Sequence, residues 1–117
     1  MLELTARHAD GWNTWFSSTG NRVEWLVPLL DKVDAACASA GRDPSTLKRS
    51  AAVIVEVGPH EPSAMTGPPL TGSPAEIAAD LRAHADAGLS HVQVWLEPNT
   101  PAGIEAFAQV LEELDRG

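Results

Sequence analysis

Three short segments of the chain have the hydrophobic pattern of β-strands. Residues 51–57 (AAVIVEV) are almost continuously apolar and rich in valine and isoleucine, which is typical of a strand covered on both faces in a parallel sheet. Residues 91–96 (HVQVWL) alternate between polar and apolar types, apart from Trp95. Residues 11–16 (GWNTWF) contain the aromatic and β-branched types that favour strands. The pattern therefore predicts three strands.

Helical segments separate these strands. Between residues 22 and 40 the apolar residues recur every three or four positions, which is the helical period, and Pro28 is expected to kink or split that helix. Ser73 and Thr100 are each followed by a proline, so both are predicted to cap a helix whose first residue is that proline. Residues 2–9 are predicted to be the tail of a short helix.

The alternation of strands and helices predicts a single α/β domain over residues 1–117, with right-handed crossovers and a parallel sheet. A proline- and glycine-rich loop over residues 58–72 follows the middle strand. A parallel sheet of only three strands would leave both edges open and one face without cover. The pattern therefore indicates part of a larger architecture.

Composition and charge narrow the possible partners and compartments. The formal net charge of −8 leaves no basic patch to offset phosphates, which argues against a nucleic-acid partner. The apolar runs are far shorter than a membrane span, and the charged N-terminus lacks a signal core. We therefore expect a cytoplasmic protein without membrane contacts. Cys37 is the only cysteine, so it cannot form an intramolecular disulfide, and we expect it to be buried and inert.

The carboxyl ends of the strands carry the candidate site. In a strand alternate residues face opposite sides, so Trp95 would lie on the face away from the helices. Ligands of parallel α/β folds bind at the carboxyl ends of the strands, and Glu56, Trp95 and Glu97 are therefore candidates for a pocket mouth, joined by Asn13 and Trp15. The alternatives are that Trp95 fills the core and that the two glutamates are solvated strand ends.

Other kinds of site have no support in the sequence. The four histidines lack the spacing of metal ligands, and no metal site is predicted. The sequence also contains none of the short glycine-containing motifs of a nucleotide cradle or a nucleophile elbow.

Four segments that together cover essentially the whole chain resemble one protein family. In order they are LTARHADGWNTW, AACASAGRDPSTLKRS, LTGSPAEIAADLRAHADAGLSHVQVWL and TPAGIEAFAQVLEEL. They resemble the C-terminal portion of the bacterial luciferase-like oxidoreductases, which depend on a flavin or a deazaflavin. The most specific feature is the combination of ADGWN, GRDP and GSP-x-E in this order.

The resemblance implies a partial (β/α)8 TIM barrel made of about the last three βα units, because a complete barrel has eight strands and roughly 250 residues. It also implies reduced FMN or coenzyme F-420 as the cofactor, used for monooxygenation or hydride transfer. The family's glycine-rich segment, which helps to hold the cofactor phosphate, would lie upstream of Met1.

By the same resemblance, Trp12, Asn13 and Trp15 are expected to line the cofactor side of the pocket mouth. Glu56, Trp95 and Glu97 are the candidates for contacts with a small-molecule substrate, and the loop over residues 58–72 falls at the substrate-facing rim. Because no general base is paired with a second catalytic group, we expect no activity from this chain alone. The alternative is a non-catalytic half-barrel that forms a homo-oligomer or pairs with a separate N-terminal chain.

Overall fold

The computed structural model describes residues 2–58 and 69–117, and it confirms the alternation of strands and helices. The elements in chain order are α1 (Leu2–His8), β1 (Gly11–Thr14), α2 (Phe16–Thr19), α3 (Val23–Ser39), β2 (Lys48–Glu56), α4 (Pro74–Asp86), β3 (His91–Glu97) and α5 (Pro101–Arg116). A short 3-10 turn, Pro44–Thr46, precedes β2. Most of the predicted loop over residues 58–72 lies outside the described residues.

The three strands form one parallel sheet in the order β1-β2-β3. The register places Asn13 beside Ser50, Ser50 beside His91, and Ile54 beside Trp95. Helices follow the strands in sequence, as in the βα units of a (β/α)8 barrel. This arrangement agrees with the partial barrel that the family resemblance implies.

Helices cover one face of the sheet, and the largest apolar cluster lies beneath them. Val53 and Val55 of β2 pack in this cluster with Ile77 of α4 and Val110 of α5, all buried. We call this side the covered face and the opposite side the open face. The thiol of Cys37 is buried in a second cluster with Val33 and other residues of α1 and α3, which confirms the expected burial of this cysteine.

Both predicted helix caps are present. The Ser73 hydroxyl oxygen accepts a hydrogen bond from the Glu76 backbone N–H at 3.2 Å, and Thr100 accepts one from the Gly103 backbone N–H at 3.1 Å. Each bond satisfies an N–H group that has no partner within the first turn of its helix. These caps define where α4 and α5 begin, and both helices cover the same face of the sheet.

One local prediction is wrong, and one of the two alternatives for Pro28 is excluded. The predicted strand over residues 11–16 ends at Thr14, because the chain turns at Trp15 and Phe16 begins the one-turn helix α2. Pro28 does not split its helix, since α3 runs unbroken from Val23 to Ser39. The Pro28 ring lies on the exposed side of α3, while the buried Leu26 and Leu30 hold the helix to the sheet.

Beyond the end of β1, the edge of β2 forms hydrogen bonds with other parts of the chain. The backbone N–H of Ile54 donates to Oδ1 of Asn21 at 2.7 Å, and the backbone N–H of Leu70 donates to the Ile54 carbonyl at 2.8 Å. Asn21 is fully buried and has a positive φ of 59°, a conformation that asparagine tolerates better than most residues. The buried backbone of β2 therefore stays hydrogen-bonded although β1 is short.

No helix among the described residues is both long enough and apolar enough to span a lipid bilayer.

Candidate functional site

The open face carries polar and aromatic side chains. Alternation along β3 places His91, Gln93 and Trp95 on this face, and all three are exposed. The residues between them, including Val92 and Val94, pack against the covered-face cluster, which confirms the predicted facing of β3. The open face is therefore the side of the sheet on which a ligand could make contact.

An aromatic cluster occupies the carboxyl end of the open face. We define it as Trp15, Phe16 and Trp95, whose side chains are 56%, 3% and 47% exposed. The ring centroids of Trp15 and Phe16 are 5.7 Å apart, and those of Phe16 and Trp95 are 6.2 Å apart. Both pairs meet edge to face, at 78° and 73°, a favourable geometry for aromatic rings. One buried phenyl ring thus supports two exposed indoles from different parts of the chain.

A carboxylate fixes the orientation of one of these indoles. Nε1 of Trp95 donates a hydrogen bond to Oε1 of Glu97 at 2.8 Å, and the two side chains are on the same side of β3 because they are two residues apart. Glu56 is the register neighbour of Glu97 on β2 and is half-buried. The carboxyl end of this face therefore combines aromatic surface with two carboxylates.

The amino end of the open face is polar. The Ser50 hydroxyl donates to Oδ1 of Asn13 at 2.8 Å, and His91 is the next residue in register on β3. A cavity of about 270 Å³ at this end is lined by these residues and by Lys48. Asn13 is separated from Trp95 of the aromatic cluster by about four residues along the strand direction, which is roughly 13 Å at 3.3 Å per residue.

The structure brings some of the predicted site residues together and separates others. Trp15, Trp95 and Glu97 lie at the carboxyl end of the open face, with Glu56 beside Glu97. Asn13 is on the same face at its amino end. Trp12 is on the covered side, half-buried against the clusters of α1 and α3.

Sequence reasoning missed Phe16, which is the central ring of the aromatic cluster. The sequence pattern favours a further strand residue at this position, because phenylalanine suits strands as well as cores. The available signal for a short helix here was Gly20, four residues later, because a glycine in the left-handed conformation commonly ends a helix, as Gly20 ends α2.

Comparison with known proteins supports the fold. No model of a known protein family matches the chain. No curated protein sequence matches it either. Among solved structures, the crystal structure of the long-chain alkane monooxygenase LadA matches with a TM-score of 0.73 at 15% sequence identity. The match covers 98% of this chain and 38% of that protein. The chain thus has the fold of rather more than a third of that monooxygenase.

Proposed function

We propose that the chain forms part of the cofactor and substrate pocket of a flavin- or deazaflavin-dependent oxidoreductase of the luciferase-like type. The observation that carries the proposal is the pair of exposed indoles at the carboxyl end of the open face. That end is where parallel α/β folds bind their ligands. The fold shared with an alkane monooxygenase and the family resemblance of the sequence point to the same class.

The aromatic cluster suits the planar ring system of such a cofactor. An aromatic ring packed on an indole gains about 0.5–1.5 kcal/mol beyond the area it buries. Trp95 is held by Glu97 and by the Phe16 ring, so little side-chain freedom remains to be lost on binding. The described residues therefore fit the ring portion of a flavin or deazaflavin.

The phosphate of the cofactor is not assigned to this face, because the carboxylates of Glu56 and Glu97 would repel it. The resemblance assigns that phosphate to a glycine-rich segment of the family. A bound flavin or deazaflavin would supply the redox chemistry. Residues of this chain would orient the ring and limit its contact with water.

The test is a titration of the chain with FMN and, separately, with coenzyme F-420, followed by tryptophan fluorescence. We expect saturable quenching with one of the two, and a loss of that quenching when Trp15→Ala and Trp95→Ala are combined. Trp25→Phe is the matched control, since Trp25 is an exposed indole on α3. N-acetyltryptophanamide, measured in parallel, corrects for light absorbed by the cofactor. Absence of saturable quenching with both cofactors would refute the proposal.

The second candidate is a non-catalytic half-barrel that assembles with another chain. A specific feature favours it: an apolar cavity of about 410 Å³ beside the edge strand β3, lined by Val92, Val94, Phe107 and Leu111 among others. Leu111 and Ile104 of α5 are also exposed large apolar residues, and such patches often mark interfaces. The partner would be a second copy or a separate N-terminal half-barrel.

Sedimentation equilibrium separates the two candidates. The half-barrel candidate predicts a dimer or larger species that dissociates on dilution, and Leu111→Glu should shift it toward the monomer. Glu112→Gln, at a neighbouring exposed position on α5, is the control for surface charge. A folded monomer at every concentration tested would exclude self-association.

A further inference from the structure

The outer edge of β3 is available for pairing with another strand. Within the described residues β3 is paired only with β2. Its seven residues, His91–Glu97, contain no proline and no lysine, the residue types that commonly prevent further pairing at a sheet edge. The other edge strand, β1, has only four residues, Gly11–Thr14. The edge of β3 is therefore the longer template for a strand from another chain.

The backbone groups of Gln93 and Trp95 point toward this edge. The backbone N–H of Ser90 donates to the Arg49 carbonyl oxygen at 2.8 Å, so the backbone of Ser90 is directed toward β2. Alternate residues of a strand direct their N–H and C=O groups to the same side. The next even-numbered residues of β3 therefore bond to β2, and a further strand would bond to Gln93 and Trp95.

Apolar surface borders the same edge on the covered face. Val92 and Val94 line a cavity of about 410 Å³ together with Phe107 and Leu111 of α5. Ile104 and Leu111 are 58% and 48% exposed, and they share one side of α5 because they are seven residues apart. A partner that extends the sheet at β3 would therefore also cover apolar surface, which favours association.

The sequence of β3, HVQVWLE, complements itself in antiparallel orientation. When Val94 of one copy lies opposite Val94 of another, Val92 lies opposite Leu96 on the covered face. On the open face Gln93 then lies opposite Trp95, and these are the two residues whose backbone groups point outward. The apolar residues of each copy thus meet apolar residues of the other, and the outward backbone groups meet each other.

The ends of the strand favour the same orientation. In the antiparallel pairing His91 lies opposite Glu97, and an imidazole carries an N–H that can donate to a carboxylate in either protonation state. A parallel pairing in register would instead place Glu97 beside Glu97 of the other copy, and like charges at such positions are destabilising.

We infer that β3 pairs with β3 of a second copy of this chain, antiparallel and centred on Val94, so that the two sheets become one. The inference rests on the half-barrel candidate and specifies both its partner and its interface. Both copies use the same surface, so the contact closes as a symmetric dimer.

Cysteine cross-linking tests this register. Val94 opposite Val94 is a pair without mutual backbone hydrogen bonds, with Cα atoms about 4.5 Å apart, and disulfides span Cα distances of about 4.4–6.8 Å. Val94→Cys should therefore form a covalent dimer on mild oxidation. Val92→Cys is the matched control, because the two Val92 residues would be separated by four residues along the strand, or roughly 13 Å. Cys37 is buried and common to both variants. No cross-link in Val94→Cys, or equal cross-linking in both variants, would overturn the inference.

Backbone hydrogen exchange tests the same edge on the unaltered chain, and it decides the question if Val94→Cys does not fold. We expect exchange of the Gln93 and Trp95 amides to slow by about tenfold or more as the protein concentration is raised through the dimer transition. The Val94 amide, which bonds to β2, should be protected at every concentration. A dimer without protection of Gln93 and Trp95 would overturn the inference and leave the half-barrel candidate in place.

A monomer at every concentration would overturn the inference and leave a separate N-terminal half-barrel as the partner of the edge. None of these outcomes depends on the titration with FMN or coenzyme F-420, so failure of the dimer and failure of the cofactor proposal are distinguishable.

Discussion

On the covered face of the sheet, Val53 and Val55 are completely buried beneath α4 and α5, whereas Gln93 and Trp95 on the open face of the neighbouring strand are exposed. Both sets of side chains belong to the same few parallel strands. They differ because successive residues of a strand point to opposite sides. One face therefore provides the core of the fold, and the other remains accessible to a ligand or a partner.

The contrast shows that the side chains that build the core and the side chains of the proposed site lie on opposite faces of the sheet. Burial of apolar groups on the covered face is the main source of stabilisation. The open face keeps two large indoles in contact with solvent, and their exposed surface contributes little to stability. Substitutions on the two faces should accordingly have separable effects.

The largest expected effect on stability comes from placing an aspartate on each face of the sheet in turn. Val55→Asp places a carboxylate among apolar side chains of the covered face, which should lower the free energy of unfolding by about 4 kcal/mol or more. Gln93→Asp on the open face should lower it by about 1 kcal/mol or less. Urea denaturation followed by circular dichroism measures both. Similar losses in the two variants would show that the faces are not distinct.

Asn21 tests how the edge of β2 is completed where β1 ends. Asn21→Ala removes the acceptor of the Ile54 backbone N–H and places an alanine at a positive φ, so we expect a loss of about 2 kcal/mol. Asn21→Gly removes the same acceptor without the penalty of a Cβ atom at positive φ and should be about 1 kcal/mol less destabilising. Thermal and urea unfolding compare the two. Unchanged stability in Asn21→Ala would contradict the role assigned to this side chain.

The caps of the covering helices give a smaller effect. Thr100→Ala removes the acceptor of the Gly103 N–H and should destabilise the protein by about 1 kcal/mol. Thr100→Ser retains a hydroxyl acceptor and should recover most of that loss. Equal stability of these two variants, measured by urea denaturation, would indicate that the cap does not help to hold α5 on the covered face.

The smallest effect on stability is expected at the carboxyl end of the open face. Glu97→Ala removes the acceptor of the Trp95 indole N–H, but the side chains are accessible to water, so unfolding should change by only about 0.5 kcal/mol. The indole should become more mobile, and fluorescence anisotropy of Trp95 in a chain whose other three tryptophans are phenylalanine should fall. The matched change Glu105→Ala on α5 should not alter the anisotropy. A large loss of stability in Glu97→Ala would assign this carboxylate to the core instead.

Much of the fold could be predicted from the sequence, because the alternation of polar and apolar residues and the helix caps are local patterns. The pattern of residues 91–96 predicted which side chains of β3 face the helices. Successive side chains of a strand point to opposite faces, so once one alternate set is apolar, that set must face the helices. Ser73 and Thr100 defined two helix starts because the capping oxygen and its N–H donor are only three residues apart. Such local interactions can be read directly from the order of residues.

The parts that could not be predicted depend on contacts between distant segments. Asn21 bonds to Ile54, which is 33 residues away, and no local pattern reveals that β1 stops early enough to require it. Phe16 joins Trp95 across the open face for a similar reason. In the candidate site, Trp15 and Trp95 were identified from their strand positions, whereas their common support by Phe16 was not.

The most direct test of the account uses the indole N–H signals of the four tryptophans, which report on different surroundings. Trp15 and Trp95 lie at the carboxyl end of the open face, Trp12 on the covered side, and Trp25 on the exposed surface of α3. During titration with FMN or coenzyme F-420, ¹H–¹⁵N spectra should show saturable shifts at Trp15 and Trp95, with Trp12 and Trp25 unchanged. Shifts confined to Trp12 or Trp25, or no shift at any indole with either cofactor, would contradict the assignment of binding to the open face.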